Sequence, residues 1–162
     1  MSFDNNLQRQ LSQLEQLPEE QRRPMLNQAL GAVVPLVGTA GLDFELMSEE
    51  KVIVHLQNDQ KVQNHIKQIH AAATVLLAES ASGMVVGMNV PDDKIPLMKT
   101  LSSKFIKRSE GTQTATAILS PEQIQRIRST EKGEVNVPTT VVDSTGEEVI
   151  IAEMIWAWIP KK

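Results

Sequence analysis

The segment from His70 to Val86 is apolar around nearly its whole circumference when it is drawn as a helix. Such a helix is typical of the interior of a domain rather than of its surface. Glu79 is its only formal charge. A carboxylate is rarely buried without a partner, because removing an ion from water is costly. Glu79 therefore requires either a structural explanation, such as an ion pair or a water-facing stripe, or a functional one in which burial raises its pKa.

Two helical patterns precede this segment. Residues 4–17 carry leucines three and four positions apart, which predicts a helix with one narrow apolar stripe that packs on the domain or on a second subunit. Pro18 and the acids after it indicate the start of a second helix, which Pro35 ends. We expect residues 1–37 to form a helical extension and residues 38–162 to form a single domain.

The rest of the chain is dominated by alternating strand patterns. Successive patterns are separated by short polar or glycine-containing segments, which predicts antiparallel pairing. Three hairpins are expected: residues 42–46 with 52–56, residues 97–108 with 112–119, and residues 135–142 with 149–159.

Local signals refine this picture. Ala115 and Ala117 place small residues on one face of their strand, where a helix can pack closely. Ser120 begins a capping box that starts a short helix, and Pro138 indicates an edge position or a bulge. Antiparallel strands around one apolar helix predict an α+β domain in which the sheet wraps around that helix. The last strand carries the two tryptophans, Trp156 and Trp158, which are expected in the core or at a subunit interface.

Composition and charge exclude several classes of protein. The 162 residues are 41% hydrophobic and 22% charged, as in a soluble globular protein, and no apolar run is long enough to span a bilayer. The net charge of −4 argues against broad nucleic-acid binding. The chain has no cysteine, and its N-terminus has no secretory pattern, so a cytoplasmic location is expected. A basic cluster at Lys104, Lys107 and Arg108 either binds a phosphate or is a solvated strand end.

The spacing of Asn64, His70 and Glu79 resembles the signature of hotdog-fold thioesterases of the phenylacetate-pathway and 4-hydroxybenzoyl-CoA types. In those proteins an Asn stands six residues before a His-Gly-Gly, and an acid stands nine residues after that His. The strand from Ser103 to Arg108 is similar to the segment after the central helix of the same family. The resemblance covers residues 38–159. It implies a hotdog fold and an acyl-CoA thioesterase that needs no cofactor beyond the CoA of its substrate.

The resemblance also implies roles for individual residues. The Ala71 backbone N–H, at the start of the helix, would bind the oxyanion formed from the thioester carbonyl. Glu79 lies more than two turns further along the helix and would act as general base or as nucleophile. The family brings both to one carbonyl in a homodimer, with Asn64 and Ala71 from one subunit and Glu79 from its neighbour. Dimers of dimers are a further alternative. The expected substrate-binding residues are His70, Ala72, Ser80, Lys107 and Arg108.

The sequence departs from the family pattern at three positions. Ala71 and Ala72 replace the two glycines, which keeps the N–H groups and adds two methyl groups. A hydroxyl found in some relatives one turn beyond the acid is replaced by Gly83, for which Ser80 and Ser82 are candidate substitutes. A second hydroxyl of some relatives falls near Met98, with Thr100 as its neighbour.

Other readings of the same residues are open. A hotdog dehydratase would pair His65 with Glu79, but the Pro- and Gly-rich run expected between them is absent. A dimer that binds an acyl-CoA or lipid-like ligand without hydrolysing it is the stronger alternative. Asn64 is otherwise a turn or cap residue, and His70 a helix-start residue bonded to the backbone. The histidines form no pattern with nearby carboxylates, so no metal site is expected.

Overall fold

The computed structural model describes residues 3–162. Its helices are α1 (Asn6–Leu14), α2 (Glu19–Val33), α3 (Pro35–Ala40), α4 (Ala71–Gly87) and α5 (Pro121–Ser129). Its strands are β1 (Asp43–Met47), β2 (Lys51–Leu56), β3 (Lys94–Phe105), β4 (Gln113–Ile118), β5 (Gly133–Asn136), β6 (Thr139–Val142) and β7 (Ile150–Pro160). None of the helices within residues 3–162 is long and apolar enough to cross a bilayer.

The strands form two antiparallel sheets. One has the order β1-β2-β4-β6 and the other has the order β3-β7-β5. The sheets are joined where the Val149 N–H donates to the Val141 carbonyl at 3.0 Å, beside an isolated bridge between Val142 and Glu148. The combined surface curves around α4. The expected α+β architecture, with an antiparallel sheet wrapped around one long helix, is confirmed.

Helix α4 is the centre of the core. Leu77, Ala78 and Ala81 are completely buried in it, together with Val85. The small side chains of Ala115 and Ala117 on β4 are also completely buried in this core, as their alternation along the strand predicts. Burial of this apolar surface supplies the main stabilisation of the domain.

The predicted hairpin between residues 97–108 and 112–119 is wrong. β3 pairs along its whole length with β7, whereas β4 lies between β2 and β6 in the other sheet. The turn residue Glu110 accepts a hydrogen bond from the Ser144 N–H at 3.1 Å, so this turn packs against the β6–β7 turn instead of folding β4 back onto β3. A local strand pattern predicts that two strands exist, but the partner of each strand depends on the whole sheet.

The first expected hairpin is present, and the third is present in part, because residues 135–142 form two strands and the second of them, β6, pairs with β4 instead of β7. β1 and β2 pair in antiparallel register, and β5 pairs with β7 from Gly133 opposite Trp158 to Asn136 opposite Ile155. Pro138 lies between β5 and β6 and marks the point where the chain passes from one sheet to the other. This position agrees with the expected strand irregularity, because proline has no N–H to donate to a strand ladder.

The N-terminal part of the chain contains one more helix than the pattern predicts. Pro35 ends α2 but also begins α3, since proline is well suited to the first position of a helix. A Cβ on Gly38 would stand 3.1 Å from the Cα of Gly31, so α2 and α3 approach each other through these two glycines. The helices continue to Ala40 and end at Gly41, whose φ of 74° favours glycine.

Candidate active site

A small cavity opens beside the N-terminal end of α4, where the preceding loop meets the end of β3. Its volume is about 140 Å³. Four of the eight predicted site residues line this cavity: Asn64, Ala71, Lys107 and Arg108. The lining is completed by Gln68, Ile69, Thr74, Phe105, Ser109, Gln113 and Val149.

Asn64 organises the loop before α4. Its side-chain oxygen accepts hydrogen bonds from the N–H groups of Ile66 at 3.0 Å and Gln68 at 3.1 Å. The loop includes Lys67, whose positive φ of 60° is uncommon for a residue with a side chain. The Asn64 side-chain oxygen is therefore used in a turn, as the structural alternative expects. Its Nδ2 amide donates to no group within residues 3–162, which leaves two N–H bonds for a ligand or water at the cavity.

The start of α4 presents free backbone donors to the same region. His70 caps the helix by accepting the Ala72 N–H on its Nδ1 atom at 3.0 Å, so the proton of the neutral ring is on Nε2. Within the described residues the Ala71 N–H has no hydrogen-bond acceptor. The Ala71 N–H can therefore bind an anionic oxygen, whereas the Ala72 N–H is already occupied. The partial positive charge of the helix N-terminus reinforces this preference for an anion.

The charge of Lys107 is already neutralised by neighbouring acids. Its ammonium lies 2.9 Å from an oxygen of Asp143, 2.8 Å from Glu147 and 2.7 Å from the Thr145 hydroxyl. Burial raises the pKa of Asp143, but the hydrogen bonds from Lys107, Thr145 and the Glu110 N–H outweigh burial and hold that pKa well below its usual range. Lys107 thus fixes the β6–β7 turn beside the cavity.

Arg108 is the more accessible cation at the cavity. It is exposed, and its Nε donates to the Gln68 side-chain oxygen at 3.1 Å. Within residues 3–162 it forms no ion pair with a carboxylate. The rest of its guanidinium group is free to bind a phosphate, which arginine can do with two parallel hydrogen bonds.

Glu79 lies in the middle of α4 and is half-buried. Burial raises the pKa of its carboxyl group, and a weak hydrogen bond from the Ser80 hydroxyl at 3.5 Å opposes that shift. Within the described residues no lysine, arginine or histidine pairs with it. The ion-pair explanation for Glu79 therefore does not apply inside one chain.

The residues next to Glu79 explain one departure from the expected pattern, the absence of a hydroxyl at Gly83. Ser82 donates to the Glu79 backbone carbonyl at 2.9 Å and accepts the indole N–H of Trp156 at 2.9 Å. A Cβ on Gly83 would stand 2.6 Å from the Trp156 ring, so the position of the family's hydroxyl is filled by tryptophan. Trp156 and Trp158 are 8% and 0% exposed, which places both in the core.

A single chain does not bring Glu79 to the cavity. Glu79 and Ala71 are eight residues apart on α4, which separates them by about 12 Å along the helix axis. Glu79, His70, Ala72 and Ser80 are not among the residues that line the cavity. Completing the predicted constellation requires a second copy of α4.

Gln113, at the start of β4, is a cavity residue that the sequence pattern did not predict. Its side chain is 1% exposed, and its Nε2 donates to the Ser109 hydroxyl at 2.9 Å. Its Oε1 atom is buried and accepts no hydrogen bond within residues 3–162, although Gln113 lines the cavity. A buried polar atom without a partner is costly, so this oxygen is suited to accept a hydrogen bond from a ligand or water. The only signal in the sequence is a glutamine among Thr and Ala on a predicted strand.

The remaining histidines do not line the cavity. His55 is on β2, where its Nδ1 is 2.8 Å from the Thr114 hydroxyl and its Nε2 contacts the Glu45 carboxylate. His65 is exposed in the loop before α4. Residues 3–162 contain no group of three or more histidines and acids arranged to hold a metal ion.

Several solved structures share this arrangement of helices and strands. A Pseudomonas aeruginosa protein of unknown function, described as a "Probable Thioesterase", has a TM-score of 0.74 at 21% identity, over 90% of this chain and 97% of that one. A Haemophilus influenzae thioesterase has a TM-score of 0.66 at 14% identity, over 83% and 88%. A mutant of a Staphylococcus aureus thioesterase enzyme has a TM-score of 0.65 at 18% identity, over 78% and 100%. The protein therefore shares the hotdog fold of these structures, which confirms the predicted resemblance at the level of the fold.

The family assignment is more specific than the fold. Residues 22–159 match a family described as a domain of unknown function (DUF4442), and the chain belongs to that family. The match includes α3 and nearly all of α2 as well as the sheet and α4. No curated protein matches the sequence.

Proposed function

We propose that the protein is a homodimeric acyl-CoA thioesterase whose active site combines Asn64 and Ala71 of one subunit with Glu79 of the other. The observation that carries the proposal is the half-buried, unpaired carboxylate of Glu79 on the central helix of a hotdog fold. Such a group lowers stability, so a catalytic use would explain its presence, and carboxyl groups with raised pKa values are common in active sites. The free Ala71 N–H supplies the complementary oxyanion donor.

The edge strand β3 supports the dimer. Within the described residues β3 pairs only with β7, so its other edge is free along twelve residues. Leu101 and Phe105 lie opposite Met154 and Ile150, which are buried, yet they are 40% and 49% exposed themselves. Residues directly opposite each other in a sheet share a face, so the core-facing side of β3 is incompletely covered at Leu101 and Phe105 in one chain. An apolar edge strand of this length is suited to pair with a second copy.

In this dimer Glu79 would activate water beside the thioester carbonyl. The carboxylate takes a proton from water, and the oxygen of the resulting hydroxide bonds to the carbonyl carbon. The Ala71 N–H stabilises the oxyanion, and the Asn64 amide orients the water or the thioester. When the intermediate collapses, the carbon–sulfur bond breaks and the CoA sulfur leaves as a thiol with the proton held by Glu79. In the alternative route the Glu79 carboxylate attacks the carbonyl carbon and displaces the CoA thiolate, and water then hydrolyses the mixed anhydride to the acid product and free Glu79.

The cavity residues suggest how CoA is held. Arg108 has an unpaired guanidinium at the cavity and would bind a CoA phosphate, while Lys107 would hold the adjoining turn in place. Gln113 would accept a hydrogen bond from an amide of the pantetheine arm. No cofactor other than the CoA of the substrate is required by this mechanism.

The test is hydrolysis of a panel of acyl-CoA thioesters, followed by complementation between two inactive variants. Asn64→Ala and Glu79→Gln are each expected to lose activity. When the two variants are co-expressed with different tags, they would form mixed dimers. One of the two sites in a mixed dimer then contains both native residues, because each site takes Asn64 from one subunit and Glu79 from the other. Activity in purified mixed dimers supports the shared site. A mixed dimer as inactive as the two parents, beside an active wild type, contradicts it.

A ligand-binding dimer without hydrolysis is the second candidate. It is favoured by the Ala72 N–H, which is occupied by His70 and leaves fewer donors for an oxyanion. Wild-type protein that binds acyl-CoA and releases no CoA from any member of the panel would establish this candidate.

A further inference from the structure

An apolar groove of about 750 Å³ lies between helices α1 and α2, the C-terminal end of α4 and the start of β3. This volume is in the range of small-molecule sites. Its walls are mostly aliphatic, and its polar residues include Lys94 and Lys161. The aliphatic lining includes Leu7, Leu11, Leu14, Leu26, Val33 and Met84.

Polar contacts hold α1 in place while its leucines remain only half-buried. The Asn5 side chain is 2% exposed and donates through Nδ2 to the carbonyls of Gly87 and Val90, both at 2.8 Å. Its oxygen accepts the Gln8 N–H at 2.9 Å and so caps α1. No residue within α1 is buried. A nine-residue helix is marginal in water unless its apolar face is covered, so the leucine stripe of α1 is suited to an apolar ligand in the groove.

The groove begins on the same face of α4 that carries Glu79. Leu76, Glu79, Gly83 and Gly87 follow one another at intervals of three and four residues, and all four are half-buried. Gly87 lines the groove and lies about 12 Å beyond Glu79 along the axis of α4. Because the Trp156 ring lies over Gly83, an acyl group attached to a thioester at Glu79 would run beside that ring to reach the groove.

We propose that the groove binds the distal part of a long aliphatic acyl chain, and that the N-terminal helices select long-chain over short-chain thioesters. The inference rests on the proposed function and extends it to the class of substrate. An aliphatic chain fits because it is narrow, flexible and apolar, and each buried methylene contributes to binding. The N-terminal helices are then part of the substrate site.

The test compares two substitutions on α2. Ala29 is exposed and lines the groove, whereas the neighbouring Gln28 is exposed and does not line it. Ala29→Phe should lower kcat/KM for palmitoyl-CoA about tenfold or more and leave hexanoyl-CoA within about twofold, because only the long chain reaches the groove. Gln28→Phe should leave both substrates unchanged. Sedimentation of both variants checks that the oligomeric state is the same.

Two results would overturn the inference. One is an unchanged ratio of long-chain to short-chain activity in Ala29→Phe. The other is loss of the dimer in Ala29→Phe alone, which would make the groove a subunit contact. If the wild type hydrolyses no acyl-CoA, the proposed function fails. Calorimetry then tests whether palmitoyl-CoA binds in the groove. Binding weakened by Ala29→Phe and not by Gln28→Phe supports the groove, and absence of binding refutes it.

Discussion

The indole ring of Trp156 occupies the space in which any side chain at Gly83 would begin, since a Cβ there would stand 2.6 Å from the ring. This contact joins β7 to α4 one turn beyond Glu79. The hydrogen bond from the Trp156 indole to Ser82 fixes the ring in the same position. The geometry around Glu79 therefore depends on Trp156 and Gly83, which take no part in the proposed reaction.

Substitution of Gly83 tests the contact between α4 and the Trp156 ring. Gly83→Ala should lower the free energy of unfolding by about 1–3 kcal/mol, because the added methyl group displaces the Trp156 ring. The matched control is Gly87→Ala on the same helix, where a Cβ would stand 3.5 Å from Leu7 in ordinary contact. The control should be neutral or slightly stabilising, since alanine favours the helix. Urea denaturation of both variants measures the difference, and equal stability would contradict the prediction.

Glu79→Gln should raise stability while lowering activity. Burial raises the pKa of Glu79, so the folded state binds the proton more tightly than the unfolded state. The stability of the wild type then falls as the pH rises from the ordinary carboxyl pKa through the raised value. At pH 7 the variant removes this penalty and should melt about 2–4 °C higher. Calorimetry at several pH values should show the gain disappearing below about pH 4, where glutamate is protonated in both states.

The same variant separates the catalytic role from the structural one. We expect kcat/KM to fall about 100-fold or more, the usual contribution of a general base. The wild-type rate should rise with pH through the raised pKa of Glu79, because only the ionised form accepts a proton. Glu153→Gln, at an exposed position on β7, is the control and should keep wild-type stability and activity. An active Glu79→Gln enzyme would assign catalysis to another group.

Asp143 should be a major determinant of stability next to the cavity. Its side chain is fully buried, and it accepts hydrogen bonds from Lys107, Thr145 and the Glu110 N–H. Asp143→Asn should lower the free energy of unfolding at pH 7 by about 1–3 kcal/mol, because an amide cannot accept all of these bonds. Glu147→Gln, at an exposed position with a single salt bridge, should change stability much less.

The stabilisation by Asp143 should depend on pH in a defined direction. The folded pKa is held below the ordinary value, so the contribution is complete above the ordinary carboxyl pKa of about 4. It is lost progressively as the pH falls below 4 toward the folded pKa. The difference between the wild type and Asp143→Asn should therefore shrink in acid. Thermal melts between about pH 3 and pH 7 measure it, and a constant difference would contradict the assignment.

His70→Ala should destabilise the start of α4. The variant removes the cap on the Ala72 N–H, which is expected to cost about 1 kcal/mol. It also frees a second donor beside Ala71. His65→Ala removes an exposed histidine from the preceding loop and serves as the control. Urea denaturation compares the two, and a His70→Ala protein as stable as His65→Ala would show that the cap contributes nothing.

Local patterns in the sequence determined the elements that depend on neighbouring residues. The apolar circumference of residues 70–86 predicted α4, the capping box at Ser120 predicted α5, and the Thr and Ala alternation predicted the face of β4 toward the helix. The spacing of Asn64, His70 and Glu79 pointed to the hotdog fold. Each of these signals lies within a few turns or one strand, where chain geometry fixes which residues can meet.

Only the tertiary structure decided which distant segments meet. β3 pairs with β7 and not with β4, because pairing depends on the packing of the complete sheet around α4. Lys107 is neutralised by Asp143 and Gly83 faces Trp156, although each of these pairs joins segments that are tens of residues apart. Gln113 reaches the cavity from the start of β4. Sequence patterns contain propensity and periodicity, whereas these contacts follow from how the sheets close around the helix.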